Sequence, residues 1–322
     1  MPYANAAAVS RPELKVFLEQ ARLADKNLIA DQILPVKDSP GMTGRYPKFT
    51  LALGGLLDVE LNTKRGADGS YNRVSRKWEW DTYDCQDRGL EGEIDDSQAH
   101  EMAQFTDLEQ TESKLVRRNV ALSYEIRVAN LVMSSANSGF TATNSVTPYT
   151  EANIATMDFP QDITNAQARL EGNGTMANAM VISLDVWNRV RRSTKLLQYI
   201  FGNTIGNGGQ ALDPKRVADA FQLDNIFISG KKYNAGKKGQ NTVSLSSIWG
   251  TSTVLLANIQ GGDFNTGGIG RTLTWTEDAS GLYVVETYRE EKLRKDIVRV
   301  RQNTSEKIID TNEAQLITTQ WS

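Results

Sequence analysis

Residues 83–102 read "YDCQDRGLEGEIDDSQAHEM", and residues 107–135 read "DLEQTESKLVRRNVALSYEIRVANLVMSS". The second stretch carries the strongest helix signal in the chain. Thr106-Asp107-Leu108-Glu109 has the form of a capping box. Leu115, Leu122, Ile126, Ala129 and Met133 follow at spacings of seven, four, three and four, which predicts one apolar stripe on a helix. Neither Gly nor Pro interrupts Thr106 to Ala136. At 1.5 Å per residue such a rod is about 45 Å long, against the three or four turns usual in globular proteins.

The first stretch holds the single cysteine, Cys85, and the single histidine, His100. Nine of the 25 residues from Lys77 to Glu101 are acidic; with Lys77 and Arg88 the local charge is -7. One Cys and one His cannot build a Cys/His zinc site in one chain. A Cys–His nucleophile pair is compatible with the composition, but Cys85 falls in a strand-to-loop passage and His100 among acids. They read as a half-buried thiol and a solvated histidine. Glu91, Glu93, Asp95 and Asp96 offer oxygens to a hard cation, but the D-x-D-x-D-G spacing is absent. A solvated or partner-facing surface is the preferred reading of this acidic stretch.

Before it the periodicity is two. Val59, Leu61 and Thr63 alternate with polar residues, as do Val74, Trp78 and Trp80, with Arg76 as the exception. Between them lies the turn-rich, charged NTKRGADGSYN segment, with Lys64, Arg65, Gly66, Asp68 and Gly69. One long β-hairpin from Arg45 to Tyr83 is predicted. A two-stranded hairpin is marginal alone in water and no third strand is legible nearby, so a neighbouring subunit is a candidate cover. Farther upstream, Ser10-Arg11-Pro12-Glu13 predicts a helix of about 20 residues reaching Ile33, stopped by Pro35.

Residues 160–290 read as a separate α/β unit. Thr164 caps a helix to Leu170. Met180-Val181-Ile182 is a strand, and Ser183 caps a helix to Ile200 that stops at Gly202. Asp213-Pro214 opens another helix. Strands follow at Asn225–Ile228 and Thr253–Ile259, then a glycine-rich loop, and further strands from Gly281, Asp296, Lys307 and Gln315.

The chain has 322 residues and a formal net charge of -3, enough length for a sizeable core and no overall attraction to nucleic acid. No apolar run reaches the roughly 20 residues of a membrane span, no secretion signal is legible at the start, and one cysteine allows no internal disulfide. Gly172-Asn-Gly174-Thr-Met-Ala177 has dinucleotide spacing but precedes a strand instead of following one. The Gly230–Lys238 segment has five residues between its glycines where a P-loop has four. There is no G-x-S-x-G elbow. No catalytic, cofactor or metal residue is therefore assigned. Basic clusters remain: Arg189, Arg191, Arg192 and Lys195 on one helix, Lys231, Lys232, Lys237 and Lys238 in a loop, and Arg289, Lys292, Arg294, Lys295, Arg299 and Arg301 near the end. They read as solvated faces or as contacts with nucleic-acid backbone or acidic patches.

Taken in order, these parts resemble the major capsid proteins of tailed phages, an α+β class with the HK97-like fold. Tyr83–Met133 is similar to that family's passage from extended loop to spine helix. "AMVISLDVWNRVRRSTKLLQYIFG" (179–202) is similar to its axial-domain strand and helix, and "DIVRVRQNTSEKIIDTNEAQLIT" (296–318) resembles its closing strands. The resemblance implies an N-terminal arm over 1–44 and an extended hairpin loop over 45–82. It implies a peripheral domain of 83–155 and 285–322, and an axial domain of 156–284. It also implies a non-enzymatic subunit that assembles with itself into hexamers and pentamers of an icosahedral head enclosing double-stranded DNA. Scaffolding, portal and decoration proteins would be its partners, with no membrane. It would be assembled in the host cytoplasm and located in the virion. Lys64, Arg65, Asp68, Arg76, Trp78, Trp80, Glu91, Glu93, Asp95 and Asp96 would be inter-subunit contacts, and Arg189, Arg191, Arg192 and Lys195 would face DNA or other subunits. Because the arm begins almost at Met1, scaffolding is expected as a separate protein or as a segment already removed. Lys64 and Asn303 lack a crosslinking motif, and no crosslink is expected. The alternatives are an encapsulin-type compartment around protein cargo and an α/β enzyme using the carboxylate cluster.

Overall fold

The structure is a computed structural model that describes residues 9–10, 28–48, 64–65, 69, 71, 79–102, 107–202, 212–236, 244–262, 264, 267–275 and 282–320. Two large sheets organise them. The six-stranded sheet is built around β14 (Lys295–Ile308), which pairs antiparallel with β5 (Gln86–Asp95), β13 (Val284–Glu290) and β12 (Gly270–Thr274). Its borders are β1 (Val9–Ser10) on β13 and β2 (Val36–Asp38), parallel to β12. The five-stranded sheet runs β6 (Thr141–Asn144), β15 (Ala314–Thr318), β11 (Thr253–Ala257), β7 (Ala179–Ser183), β8 (Asn225–Ser229). Two further pairs stand apart from these sheets: β3 (Thr43–Lys48) with β4 (Glu79–Asp84), and β9 (Lys232–Asn234) with β10 (Leu245–Ser247).

The acidic stretch is itself a strand, which corrects the strand-to-loop reading. Leu90, Gly92 and Ile94 alternate with Glu91, Glu93 and Asp95, the period-two pattern of a half-covered strand. Gly92 conceals the pattern. A Cβ there would stand 2.8 Å from Val116 Cγ2 on the helix above, so glycine is what lets the helix lie on the strand. Cys85, in the one-residue break between β4 and β5, is fully buried and not half-buried. His100 lies exposed on α2 (Asp96–Met102).

The long helix is α3, Leu108–Val132, 25 residues and about 37 Å; the short α4, Ser135–Ser138, follows it. Asp107 is its cap, accepting Glu109 N–H at 3.0 Å and Gln110 N–H at 3.3 Å; Thr106 lies outside the described residues. The buried stripe is not the expected one. Val116, Val120, Ala121, Tyr124, Val128, Ala129 and Val132 are buried, whereas Leu115 is 50% exposed and Leu122, Ile126 and Met133 are only partly covered. Where β5 comes closest, at Gly92, the facing helix residue is Val116 and not the larger Leu115. This face packs on Val285, Val298 and Val300 of the six-stranded sheet and shares a core with Val181, Leu255 and Leu316 of the five-stranded one.

Met180 and Ile182 face a second core with Val254, Leu256 and Ile317. The five-stranded sheet is thus covered on both sides, which accounts for its continuous apolar strands. That second core is closed by α5 (Phe159–Gly172), α6 (Leu184–Val190), α7 (Thr194–Phe201) and α8 (Pro214–Ala220). Asp158, with Pro160 in the first turn, caps α5, not Thr164. Ser183 does cap a helix, but the expected run to Ile200 breaks at 191–193 into α6 and α7. The N-terminal helix prediction is also corrected. Among the described residues of the predicted run, Leu28 and Ile29 are not helical and α1 covers Ala30–Ile33 alone, starting after Ile29; residues 11–27 lie outside the described residues. Strand pairing adds 141–144 and 314–318 to the sheet of the 156–284 range, and 270–274 to the sheet of the flanking ranges.

Candidate assembly surface

The hairpin leaves the body through β3 and β4, in register from Thr43↔Asp84 to Lys48↔Glu79. Gly44 is required at this base, since a Cβ would stand 2.7 Å from the Tyr83 hydroxyl oxygen. Tyr46, Tyr83, Cys85, Leu273 and Ile309 form a small core beneath the base, and Phe264 stacks on Tyr46 at 5.4 Å. Tyr46 donates to Asp81 Oδ2 at 3.0 Å. Burial and the Asp81 charge hold the phenol above its ordinary range. Outward of this anchor, Trp80 is 59% exposed and lies opposite Pro47 in the strand register. Lys64 and Arg65 are exposed, Arg65 Nε donating to Gly69 O at 2.7 Å with its guanidinium 5.4 Å from the Tyr71 ring centroid. Asp68, Arg76 and Trp78, and the alternation from Val59 to Val74, lie outside the described residues.

At the foot of the hairpin, the acids predicted as contacts meet the last basic cluster of the same chain. β5 lies antiparallel to β14 with Glu91 opposite Arg299. This pairing brings together Glu91–Arg299 at 2.6 Å and Glu93–Lys295 at 2.5 Å, while Asp96 at the start of α2 reaches Arg289 on β13 at 2.7 Å. Arg289 also reaches Asp296 at 3.0 Å, and Arg301 pairs with Glu286 at 2.9 Å. Tyr288 donates to Glu91 Oε1 at 3.1 Å beneath the Arg299 guanidinium. Asp95 instead accepts the Ser97 N–H at 2.9 Å where α2 begins. The Arg289 bonds hold Asp96 below the usual carboxylate range, and the Glu93 bond lifts Lys295. This face is a ladder of cross-strand ion pairs. Its members Glu286 and Tyr288 went unassigned in the sequence, because only the strand register reveals them.

The basic helix positions fall around the break between α6 and α7. Arg189 lies 4.0 Å and Arg192 2.5 Å from Glu151, and Lys195 2.6 Å from Asp158. Arg191 is exposed. In the loop cluster, Lys232 reaches Asp185 at 3.5 Å; Lys237 and Lys238 lie outside the described residues.

Sequence reasoning also missed Glu125. It is 1% exposed in the middle of α3. Its Oε1 accepts Ile29 N–H at 2.9 Å and Trp249 Nε1–H at 2.7 Å, and its Oε2 accepts Ala30 N–H at 3.0 Å. One carboxylate thereby caps α1 and ties the N-terminal segment to the helix and to the loop before β11. Burial raises its pKa despite these donors. The partners lie roughly a hundred residues away, and no local signal marks them.

Among the described residues, no group of three His, Cys, Asp or Glu side chains is arranged to hold a metal ion.

The whole arrangement is the α+β architecture of known capsid shells. The chain is similar to a phage-related protein from Bordetella bronchiseptica, with 18% identity and a TM-score of 0.74 over 98% of this chain and all of that one. It is similar to the capsid of the Myoviridae phage XM1, at 12% identity and a TM-score of 0.54 over 90% of this chain and 91% of that one. It is also similar to an encapsulin from Synechococcus elongatus, at 10% identity and a TM-score of 0.52 over 92% and 87%. No family model and no curated protein matches the chain by sequence. The fold is the HK97-like capsid fold.

Proposed function

We propose that this chain is a structural subunit, without turnover, that assembles with copies of itself into a closed shell. The observation that carries the reading is the hairpin base. Among the described residues, β3 and β4 pair only with each other, anchored by a small core and carrying exposed Trp80 outward. Such an arm is marginal without cover, and in a shell each arm has a neighbour to lie on. The shell is the icosahedral head of a tailed phage, built of hexamers and pentamers around double-stranded DNA. The extended loop comprises 45–82. The peripheral domain comprises 83–155 and 285–322, and the axial domain 156–284. The scaffolding, portal and decoration proteins of such heads are its further partners, and DNA contact is non-specific through residues such as Arg191. Assembly takes place in the host cytoplasm, and the finished location is the virion.

In this reading the ion-pair ladder stiffens the joint from which the loop departs, and Glu91, Glu93, Asp95 and Asp96 border the contact with the next subunit. The second reading is an encapsulin-type compartment around protein cargo, favoured by the similarity to the Synechococcus encapsulin. The two predict different contents, nucleic acid or protein, in purified particles.

The test is to replace residues 49–78 by a short Asn-Gly turn, leaving β3 and β4 to close a two-residue hairpin. The variant should keep the circular dichroism and cooperative unfolding of the parent and lose the ability to form large particles. Normal particles from this variant would contradict the proposal.

A further inference from the structure

The chain passes from the five-stranded to the six-stranded sheet through residues 258–269 and returns through residues 309–313. Both crossings close on Glu313, a side chain that is 1% exposed. Asn258 N–H donates to the Glu313 backbone oxygen at 2.9 Å, and Ile309 N–H donates to Ile269 O at 2.9 Å. Gly268 N–H at 2.5 Å and Asn258 Nδ2 at 3.2 Å both donate to Glu313 Oε2. Gly267 makes room for the carboxylate. Gly267 and Gly268 have φ of 76° and 98°, and a Cβ on Gly267 would stand 2.9 Å from Glu313 Oε1.

Two charged groups face this carboxyl. Arg271, on β12 and itself 1% exposed, donates through Nη1 to Gly270 O and through Nη2 to Gly267 O, both at 2.8 Å. Asp310, on the return crossing, is also 1% exposed and accepts Asn312 N–H at 2.9 Å. Burial, then the Asp310 charge, push the Glu313 carboxyl up, while the Gly268 N–H, Arg271 and Asn258 pull it down; it settles at about 7.

We propose that Glu313 makes the double crossing between the sheets a protonation-controlled hinge. The neutral carboxyl holds Asn258, Gly268 and Ile269 against the return crossing at Ile309 and Glu313, and the ionised carboxylate loosens them. Both Oε2 hydrogen bonds survive in the neutral form, because its carbonyl oxygen still accepts them. Ionisation adds a negative charge beside buried Asp310 and inside a site walled from water, which favours the opened, hydrated arrangement. The closed-state value lies above the ordinary 4.5. The closed hinge therefore keeps its proton over the window from 4.5 to about 7 and loses stability as pH rises through it. Above that window the loss is complete and constant. The hinge belongs to the single chain and does not depend on assembly.

Hydrogen exchange of the purified full chain tests this. Peptides covering 258–270 and 309–314 are followed from about pH 5 to about pH 8, each rate divided by the intrinsic rate at that pH. The opened fraction should climb up to about tenfold per pH unit to about pH 7 and then level off, with α3 peptides unchanged. E313Q retains an oxygen for both donors and should stay flat at the protected level. D310N removes the neighbouring charge and should move the plateau to lower pH. A wild-type opened fraction independent of pH, or a wild-type profile persisting in E313Q, overturns the hinge. If E313Q fails to fold, the wild-type profile and its displacement in D310N decide.

Discussion

On the outward face of the six-stranded sheet, Asp96, Glu91 and Glu93 meet Arg289, Arg299 and Lys295 in reach of water. In the interior, Glu125 and Glu313 have peptide N–H groups and the side chains of Trp249 and Asn258 for company. The same functional group behaves oppositely in the two places. On the face, hydrogen bonds from a cation hold Asp96 ionised to lower pH than usual. In the interior, burial outweighs several good donors and both glutamates hold their protons to higher pH than usual. Solvent access, not the number of partners, decides the direction. It also decides the energetics: exposed pairs are screened and individually weak, whereas a buried donor stripped of its acceptor carries its full desolvation cost.

The sharpest way to break the comparison is Glu125→Ala. It leaves the N–H groups of Ile29 and Ala30 and the Trp249 indole without their acceptor, and should cost about 3–5 kcal/mol in urea unfolding. A loss as small as that of a surface substitution would show that water reaches this site. Next is Gly92→Val, which places a side chain against Val116 and should cost about 1–3 kcal/mol by overpacking. Its unfolding midpoint, set against that of Gly92→Ala, reports how tightly α3 lies on β5.

Titration sharpens the contrast further. Glu313 is raised from 4.5 to about 7, so its contribution to stability declines as pH rises through that window; E313Q should remove this decline from a plot of unfolding free energy against pH. Asp96 has the opposite sign. Its pKa is depressed by Arg289, so the stability it adds is present above the ordinary carboxylate value and disappears as pH falls through its folded-state value. The smallest effect on the isolated chain is expected from the double reversal Asp95→Lys, Asp96→Lys. Thermal unfolding should change little, and less still at high salt, while particle formation should be impaired. Normal shells from this variant would remove the acidic foot from the proposed interface.

The pattern of legibility has a physical basis. Helix α3 announced itself because an uninterrupted run without Gly or Pro and a cap before it are local features. Its facing is not legible because Leu115 and Leu122 are the larger apolar residues, whereas the buried side is fixed by tertiary neighbours, such as Gly92 of β5 against Val116. The strands Ala179–Ser183 and Asn225–Ser229 are legible from apolar runs; Thr43–Lys48 and Glu79–Asp84 pair at the ends of the hairpin expected over 45–83, whose predicting alternation, Trp80 apart, lies outside the described residues. The strand Gln86–Asp95 was hidden by its glycines and charges, whose partners lie about two hundred residues away on Lys295–Ile308. Of the proposed assembly surface, the acids and the last basic cluster could be named separately. Their pairing within one chain required the register. Glu125 and Glu313 carried no signal, since each is defined by donors from distant segments.

The central claim is that the exposed hairpin belongs to a subunit of a closed shell. Light scattering after size exclusion, over a concentration series with and without crowding agents, measures it most directly. Particles in the megadalton range, or discrete pentamers and hexamers, are predicted. A species that stays at 35.7 kDa under every one of these conditions would contradict it.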